Sequence, residues 1–314
     1  MVTTPRAGLS GALALAGSLL ALMAGGCGRS GPAPVRSGGS GTDRFLVVAA
    51  ENFWGSLAAQ LAGEKARVRS IIVNPATDPH GYQPSVSDAR LLARSNMAIV
   101  NGLGYDPWAD QLLRASPGGG RVVLNVGRQL GLAEGANPHR WYYPGDVRRV
   151  IDAIVAGFDR LDPADAAYFA DRRELLLNRA MGPYNRLLAE LRSRYAGVPV
   201  GYSESIFEGL GEYLGLRLET PPSFARAVAE GIDVTAQDKQ TVDAQAEGRR
   251  IAVWVFNSQN VTPDVQRVNQ IVGRLGIPAV TLTETLAPAS ASFESWQTAE
   301  LESLLRALGR ATGR

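Results

Sequence analysis

Phe45-Leu46-Val47-Val48-Ala49-Ala50-Glu51-Asn52-Phe53-Trp54-Gly55-Ser56-Leu57-Ala58-Ala59-Gln60-Leu61-Ala62 changes its period once, and that change decides the fold. An apolar run of strand type over 45–49 gives way to Phe53, Leu57 and Leu61, spaced by four and so on one face of a helix over 52–62. The same rhythm continues downstream. Strands are predicted at 68–73, 97–100 and 122–125. Ser85 and Asp88 resemble a capping box for a helix through Leu91 and Leu92, and a further helix is predicted over 108–115. After residue 198 the rhythm returns, with strands at 198–202, 251–256 and 279–282 and helices near 206–214, 236–247, 263–275 and 294–308. Strands alternating with helices read as βαβ units. The expected class is α/β, with two lobes that each carry a mainly parallel sheet flanked by helices.

Residues 45–144 form the expected N-terminal lobe, 145–197 a connecting helical segment and 198–314 the C-terminal lobe. Asp162-Pro163 marks a helix start, with proline in the first turn. From there the pattern runs to Tyr195, and a continuous helix of that length would cross roughly 50 Å. Gly182-Pro183 interrupts it, where a bend or break is expected. Two lobes joined in this way leave a cleft between them.

The N-terminus reads as an address. Residues 1–26 combine Arg6 with a run of Leu, Ala, Gly and Ser from Leu9 to Met23, the pattern of a secretory signal. That run is short and glycine-rich for a membrane-spanning helix. Cys27 follows Met23-Ala24-Gly25-Gly26, an arrangement resembling a bacterial lipobox, so lipidation at Cys27 and anchoring to the outer face of the cell membrane are expected. Residues 27–44, rich in Gly, Ser and Pro, read as a flexible tether.

Composition narrows the chemistry. The 314 residues are 45% hydrophobic, with 32 Lys+Arg against 30 Asp+Glu, one cysteine and two histidines. A net charge of +2 with scattered arginines gives no electrostatic footprint for nucleic acid. One cysteine excludes an internal disulfide and any cysteine-built zinc or iron–sulfur site. A metal site must draw on His, Asp and Glu.

Both histidines stand in related settings: Asp78-Pro79-His80-Gly81-Tyr82-Gln83-Pro84 and Asn137-Pro138-His139-Arg140-Trp141-Tyr142-Tyr143-Pro144. Each follows a proline, precedes an aromatic residue by two positions and lies in a loop after a predicted strand. Flanking prolines restrict the loop and lower the entropy lost on ordering it. A divalent ion in a partly buried cleft needs about four ligands and charge compensation, which the second lobe can supply from the ends of its strands. Glu204, in Gly201-Tyr202-Ser203-Glu204-Ser205, and Glu284, in Thr281-Leu282-Thr283-Glu284-Thr285, fit that role. Each is flanked by hydroxyl residues able to orient it. The competing reading has each Glu capping the helix that follows. Glu208, Glu212, Asp233 and Asp238 read as solvated helix or turn residues.

From about Phe45 to the C-terminus these motifs resemble the metal-binding, substrate-capturing lipoproteins of ABC importers for zinc and manganese (ZnuA/TroA-like, cluster A-I solute-binding proteins). The D-P-H-G-Y-Q-P, N-P-H-R-W-Y-Y-P, Y-S-E-S-I-F and L-T-E-T-L-A-P segments fall in that family's order and spacing. The resemblance implies two α/β lobes joined by a rigid helix, with His80, His139, Glu204 and Glu284 as metal ligands in the interlobe cleft. It also implies an importer permease and its ATPase as partners. The chain lacks the long His-rich loop and third histidine ligand of many zinc members, and has Glu284 where manganese members typically carry Asp. Asn257 is a further candidate contact near Glu284.

The leading expectation is a monomeric extracytoplasmic receptor for manganese or zinc, with iron a third cargo, and no catalytic residues. Release through small movements of the Glu204 and Glu284 loops is expected, as is weaker binding in mild acid as His80 and His139 protonate. A metallohydrolase stays open because His and carboxylate ligands also build catalytic sites, although no H-E-x-x-H motif occurs. A receptor for a larger chelated metal is the third alternative. Imidazole suits zinc, whereas paired carboxylates favour harder ions such as manganese.

Overall fold

The computed structural model describes residues 44–77, 79 and 81–314. Cys27, the signal segment and all of the tether except Arg44 lie outside the described residues, as do Asp78 and His80.

The first sheet has four parallel strands, β1 (Phe45–Glu51), β2 (Ala66–Ile72), β3 (Met97–Val100) and β4 (Val122–Asn125), in the order β2-β1-β3-β4. The second repeats that order with β5 (Pro199–Tyr202), β6 (Arg217–Leu218), β7 (Val253–Asn257) and β8 (Ala279–Leu282), as β6-β5-β7-β8, again all parallel. Central strands buried on both faces need continuous apolar runs, and β3 is buried throughout, as is β1 beyond Leu46. At the edge, β2 exposes both Arg67 and Arg69, charges that discourage pairing with another chain.

Helices α1 (Asn52–Ala62), α2 (Val86–Ala93), α3 (Pro107–Ala115) and α4 (Val126–Gln129) accompany the first sheet. The Ser85/Asp88 box caps α2 as expected, with each side chain bonded to the other residue's backbone N–H. The intervening segment carries α5 (Pro144–Leu161), α6 (Ala166–Glu174) and α7 (Gly182–Tyr195), and the second lobe α8 (Glu208–Tyr213), α9 (Pro222–Ala229), α10 (Ala236–Glu247), α11 (Pro263–Leu275) and α12 (Phe293–Thr312). The two-residue strand β6 is too short to show a period, and helix α9, with Phe224, Ala225, Ala227 and Val228 on its buried face, was not anticipated either.

The expected single connecting helix is replaced by helices in series. Pro163 opens only a short 3-10 turn, Pro163–Asp165, before α6 begins. Between α6 and α7 the backbone widens to a π-helical turn, Leu175–Ala180, closed by the Met181 N–H donating to the Leu176 carbonyl five residues back. Pro183 stands in the first turn of α7, where its missing N–H costs nothing. The break falls at the expected place, but the proline starts a helix instead of kinking one. Helix α6 packs against α1 and α5, and α7 against α12, so the connector joins the first sheet's helices to those of the second.

Alternation along the strands divides the core. Val47, Ala49, Met97 and Ile99 of the first sheet and Val200, Tyr202, Val253, Val255, Val280 and Leu282 of the second point into one apolar cluster that continues through α5, α6, α7 and α12. The opposite faces are covered separately: Val48, Ala50, Ala98 and Val100 lie near α2 and α3, and Trp254 lies among residues of α9, α10 and α11.

Candidate metal centre

Three of the four expected ligands are among the described residues, and all are buried: His139 and Glu204 at 1% exposure and Glu284 at 7%. Where each strand stops sets where its side chain sits.

Glu204 stands two residues past β5, at the head of the one-turn helix Ser205–Phe207, and makes no capping bond there. Its Oε2 accepts from Asn260 Nδ2 at 2.8 Å, and that amide also donates to the Val228 carbonyl at 3.0 Å. Oε1 is buried with no hydrogen-bond partner among the described residues. Burial first and Glu284 second push the Glu204 carboxyl up to about 8, with the Asn257 and Asn260 amides opposing the shift.

Glu284 stands two residues past β8. The Tyr105 hydroxyl donates to its Oε2 at 2.9 Å and Asn257 Nδ2 to its Oε1 at 2.8 Å. Tyr105 belongs to the first lobe, so one of these bonds crosses the cleft. Asn257, anticipated as a contact, holds the carboxylate in place. The next capped helix, α12, takes its cap from Ser292, so neither Glu serves as a helix cap.

His139 precedes the 3-10 turn Arg140–Tyr142. Its Nδ1 lies 2.9 Å from Asn137 Oδ1, which also accepts the His139 backbone N–H at 3.0 Å. Asn137 Nδ2 donates to the Ser205 carbonyl at 2.7 Å and to Glu208 Oε2 at 3.0 Å, which fixes the amide's orientation. An amide oxygen only accepts, so Nδ1 carries a hydrogen, which in the neutral ring leaves the lone pair on Nε2. The histidine loop is thereby tied to the turn that carries Glu204.

Beneath these groups lies an aromatic floor. Phe53 stacks on Trp141 at 4.0 Å, and Trp141 meets the Tyr105 ring at 5.0 Å and the His139 ring at 5.3 Å, both edge-on. Such packing excludes water and raises the cost of an uncompensated charge. The partners named above for the two carboxylates are amides and a phenol, none of them cationic.

The loop between β3 and α3 sets Tyr105. Gly102, Leu103 and Gly104 all have positive φ, at 71°, 58° and 79°, which in Leu103 costs about 1–2 kcal/mol. This turn lets the Asn101 and Gly102 N–H groups each donate to Asp106 at 2.7 Å. Asp106 lies next to Glu51, fully buried at the end of β1 with neither carboxyl oxygen hydrogen-bonded among the described residues. Burial first, then Asp106, pushes Glu51 well above the usual carboxylate range, and burial brings Asp106 to about 7 despite its two N–H donors. The sequence signal for Glu51 is an acid at the end of an apolar run.

Two expectations need correction. The hydroxyls flanking the glutamates do not bond the carboxylates among the described residues. Ser203 Oγ accepts from the Asn257 N–H, Ser205 Oγ lies 3.4 Å from His139 Nδ1, and Thr283 Oγ1 donates to the Thr285 carbonyl. They hold neighbouring segments, while side-chain amides hold the glutamates. Glu208 is not a solvated helix residue. It is half-buried, accepts from Asn137, and burial raises its carboxyl above the ordinary value.

A cavity of about 510 Å³ lies above Glu284, lined from the first lobe by Pro75, Pro79 and Pro138 and from the second by Glu230, Gln259 and Asn260. Among the described residues there is no group of three or more His, Cys, Asp or Glu side chains that could hold a metal ion.

The chain matches the family model described as zinc-uptake complex component A, periplasmic (ZnuA), over residues 47–307. It is 23% identical over 274 residues to the manganese-binding lipoprotein MntA of Halalkalibacterium halodurans, covering 85% of this chain and 79% of that one. To the iron-binding protein YfeA of Yersinia pestis it is 25% identical over 185 residues, 55% of this chain and 58% of the relative. Among solved structures it is similar to the periplasmic zinc-binding protein TroA of Treponema pallidum, with a TM-score of 0.70 and 16% identity over 84% of this chain and 99% of the other.

Proposed function

The chain belongs to the zinc-uptake complex component A family, and from that premise we propose that His80, His139, Glu204 and Glu284 hold a divalent transition-metal ion as cargo. The protein is an extracytoplasmic receptor that captures manganese or zinc and hands it to an ABC importer. Its family serves transport and not catalysis, so no residue is assigned a catalytic role.

The observation that carries the ligand assignment is Glu204 Oε1, a buried carboxylate oxygen with no hydrogen-bond partner among the described residues. A buried acceptor left unpaired is costly, and a bound cation offsets that cost. Two neutral imidazoles and two carboxylates leave a divalent ion formally neutral in surroundings that penalise net charge. Asn137 supports the reading by leaving His139 Nε2 as the ligating nitrogen, and Tyr105, Asn257 and Asn260 support it by fixing the carboxylates. The relatives named for manganese and iron and the similar fold named for zinc are consistent with this range of cargo. Manganese or zinc is the proposed ion, with iron third.

Hydrolysis is the poorer reading, because it needs an open coordination position and a base, and four protein ligands leave no such position. Lipidation at Cys27, anchoring at the outer face of the membrane and a monomeric state complete the proposal. Calorimetric titration of the metal-stripped chain with Mn²⁺ and Zn²⁺ tests it: one ion per chain is expected, and no heat of binding from either metal overturns it.

A further inference from the structure

Gln259, two residues past β7, touches two separate segments with one side chain. Its Oε1 accepts the backbone N–H groups of Glu284 and of Thr285, the latter at 3.1 Å. Its Nε2 donates to Thr285 Oγ1 at 3.0 Å and to the Pro75 carbonyl. A carboxamide offers two acceptor positions and two hydrogens, so all four are used. The backbone is fixed as well, because the Gln259 N–H donates to Asn257 Oδ1 at 2.8 Å, and Asn257 in turn holds Glu284 Oε1.

Three of the four side-chain bonds stay within the second lobe and position the Glu284 segment. The fourth crosses the cleft to Pro75, in the first-lobe loop that follows β2 and runs on to His80. One half-buried amide therefore joins the segment bearing one proposed ligand to the loop bearing another, at the wall of the cavity above Glu284. It stands beside the site without being a metal-ligand type, since a fully used amide has no lone pair left for an ion.

We infer that Gln259 is the closure latch of the cleft: a positioning residue that sets how fast the ion leaves and does not choose which ion binds. The inference rests on the metal-receptor reading given above. When the lobes part, the Pro75 bond must break, while the bonds to Glu284 and Thr285 persist and keep the carboxylate ready for the next ion.

Gln259→Glu separates the two functions, because it keeps acceptors for the Glu284 and Thr285 N–H groups but has no hydrogen to give Pro75. Gln259→Met fills similar space and makes none of the four bonds. Release of Mn²⁺ from the full chain into excess chelator, followed by stopped flow, is expected to quicken about tenfold in Gln259→Glu and at least as much in Gln259→Met. The absorption spectrum of the Co²⁺-loaded chain, which reports the ligand set, is expected to match the parent in Gln259→Glu. Release by both variants within about twofold of the parent overturns the latch. A changed Co²⁺ spectrum in Gln259→Glu also overturns it, by placing the residue in the ligand arrangement. Failure of the parent chain to bind either ion removes the metal reading and this inference with it, whereas normal binding with unchanged release removes the latch alone.

Discussion

The two sheets share one strand order, and each ends its central strand with a buried glutamate. In the first, β1 last pairs with β3 at Ala49 and Ile99, and Glu51 stands two residues on. In the second, β5 last pairs with β7 at Tyr202 and Val255, and Glu204 stands two residues on. Both acids are raised by burial and then by a second carboxyl, Asp106 beside Glu51 and Glu284 beside Glu204. They differ in what surrounds them. Asp106 is held by two backbone N–H groups from its own lobe, and Glu51 beside it has neither oxygen hydrogen-bonded among the described residues. Glu204 has one oxygen anchored by Asn260 and the other without a hydrogen-bond partner among the described residues, next to a turn tied to His139. Burial alone does not make a ligand. An acid becomes one when a neighbouring group fixes one oxygen and leaves the other toward a site that can receive a cation.

The sharpest way to break this comparison is to neutralise the two acids in turn. Glu204→Gln is expected to weaken Mn²⁺ or Zn²⁺ binding by at least about 100-fold, while Glu51→Gln stays within about threefold of the parent. Calorimetry on both variants decides it, and a large loss in Glu51→Gln would erase the distinction.

A second effect is on pH dependence. Glu204 is raised to about 8 in the metal-free fold, against about 4.3 in an unfolded chain, so its neutral form favours folding. That contribution is complete below the unfolded value and is lost as pH rises toward 8, with a slope of up to about 1.4 kcal/mol per pH unit. Urea denaturation of the metal-free chain between pH 5 and 8 should show stability falling, less steeply in Glu204→Gln. Metal binding runs the other way. The ion must displace the proton, so affinity should rise with pH over the same window, accompanied by proton release. Smaller again is the loss from Tyr105→Phe, which removes the cross-cleft donor to Glu284. About a tenfold drop in affinity is expected, with the proposed ligands themselves intact.

Much of this arrangement was legible beforehand, for a physical reason. Strands β3, β4 and β8 begin and end where expected because their apolar runs stop abruptly at polar residues, and α1 and α11 follow clear helical periods. The loops carrying His139, Glu204 and Glu284 were legible from local motifs. The connector was not: Pro144 and Pro163 carry the same helix-start signal, yet one opens an 18-residue helix and the other a single 3-10 turn. A π turn leaves no local mark, because it answers to packing on either side. Tyr105, Asn260 and Gln259 were also missed, since each acts across a distance in sequence that spacing cannot reveal. Asn257 was the exception, being at the end of a strand already recognised.

The inner faces of both sheets feed one apolar cluster, and residues 44–314 belong to a single compact unit. The cleft is thus a notch cut into one body more than a gap between two. Neither half can melt without exposing the other's inner face, so occupancy of a few atoms at the notch is felt by every strand, and a cell's proteases meet either a whole receptor or an unfolded chain.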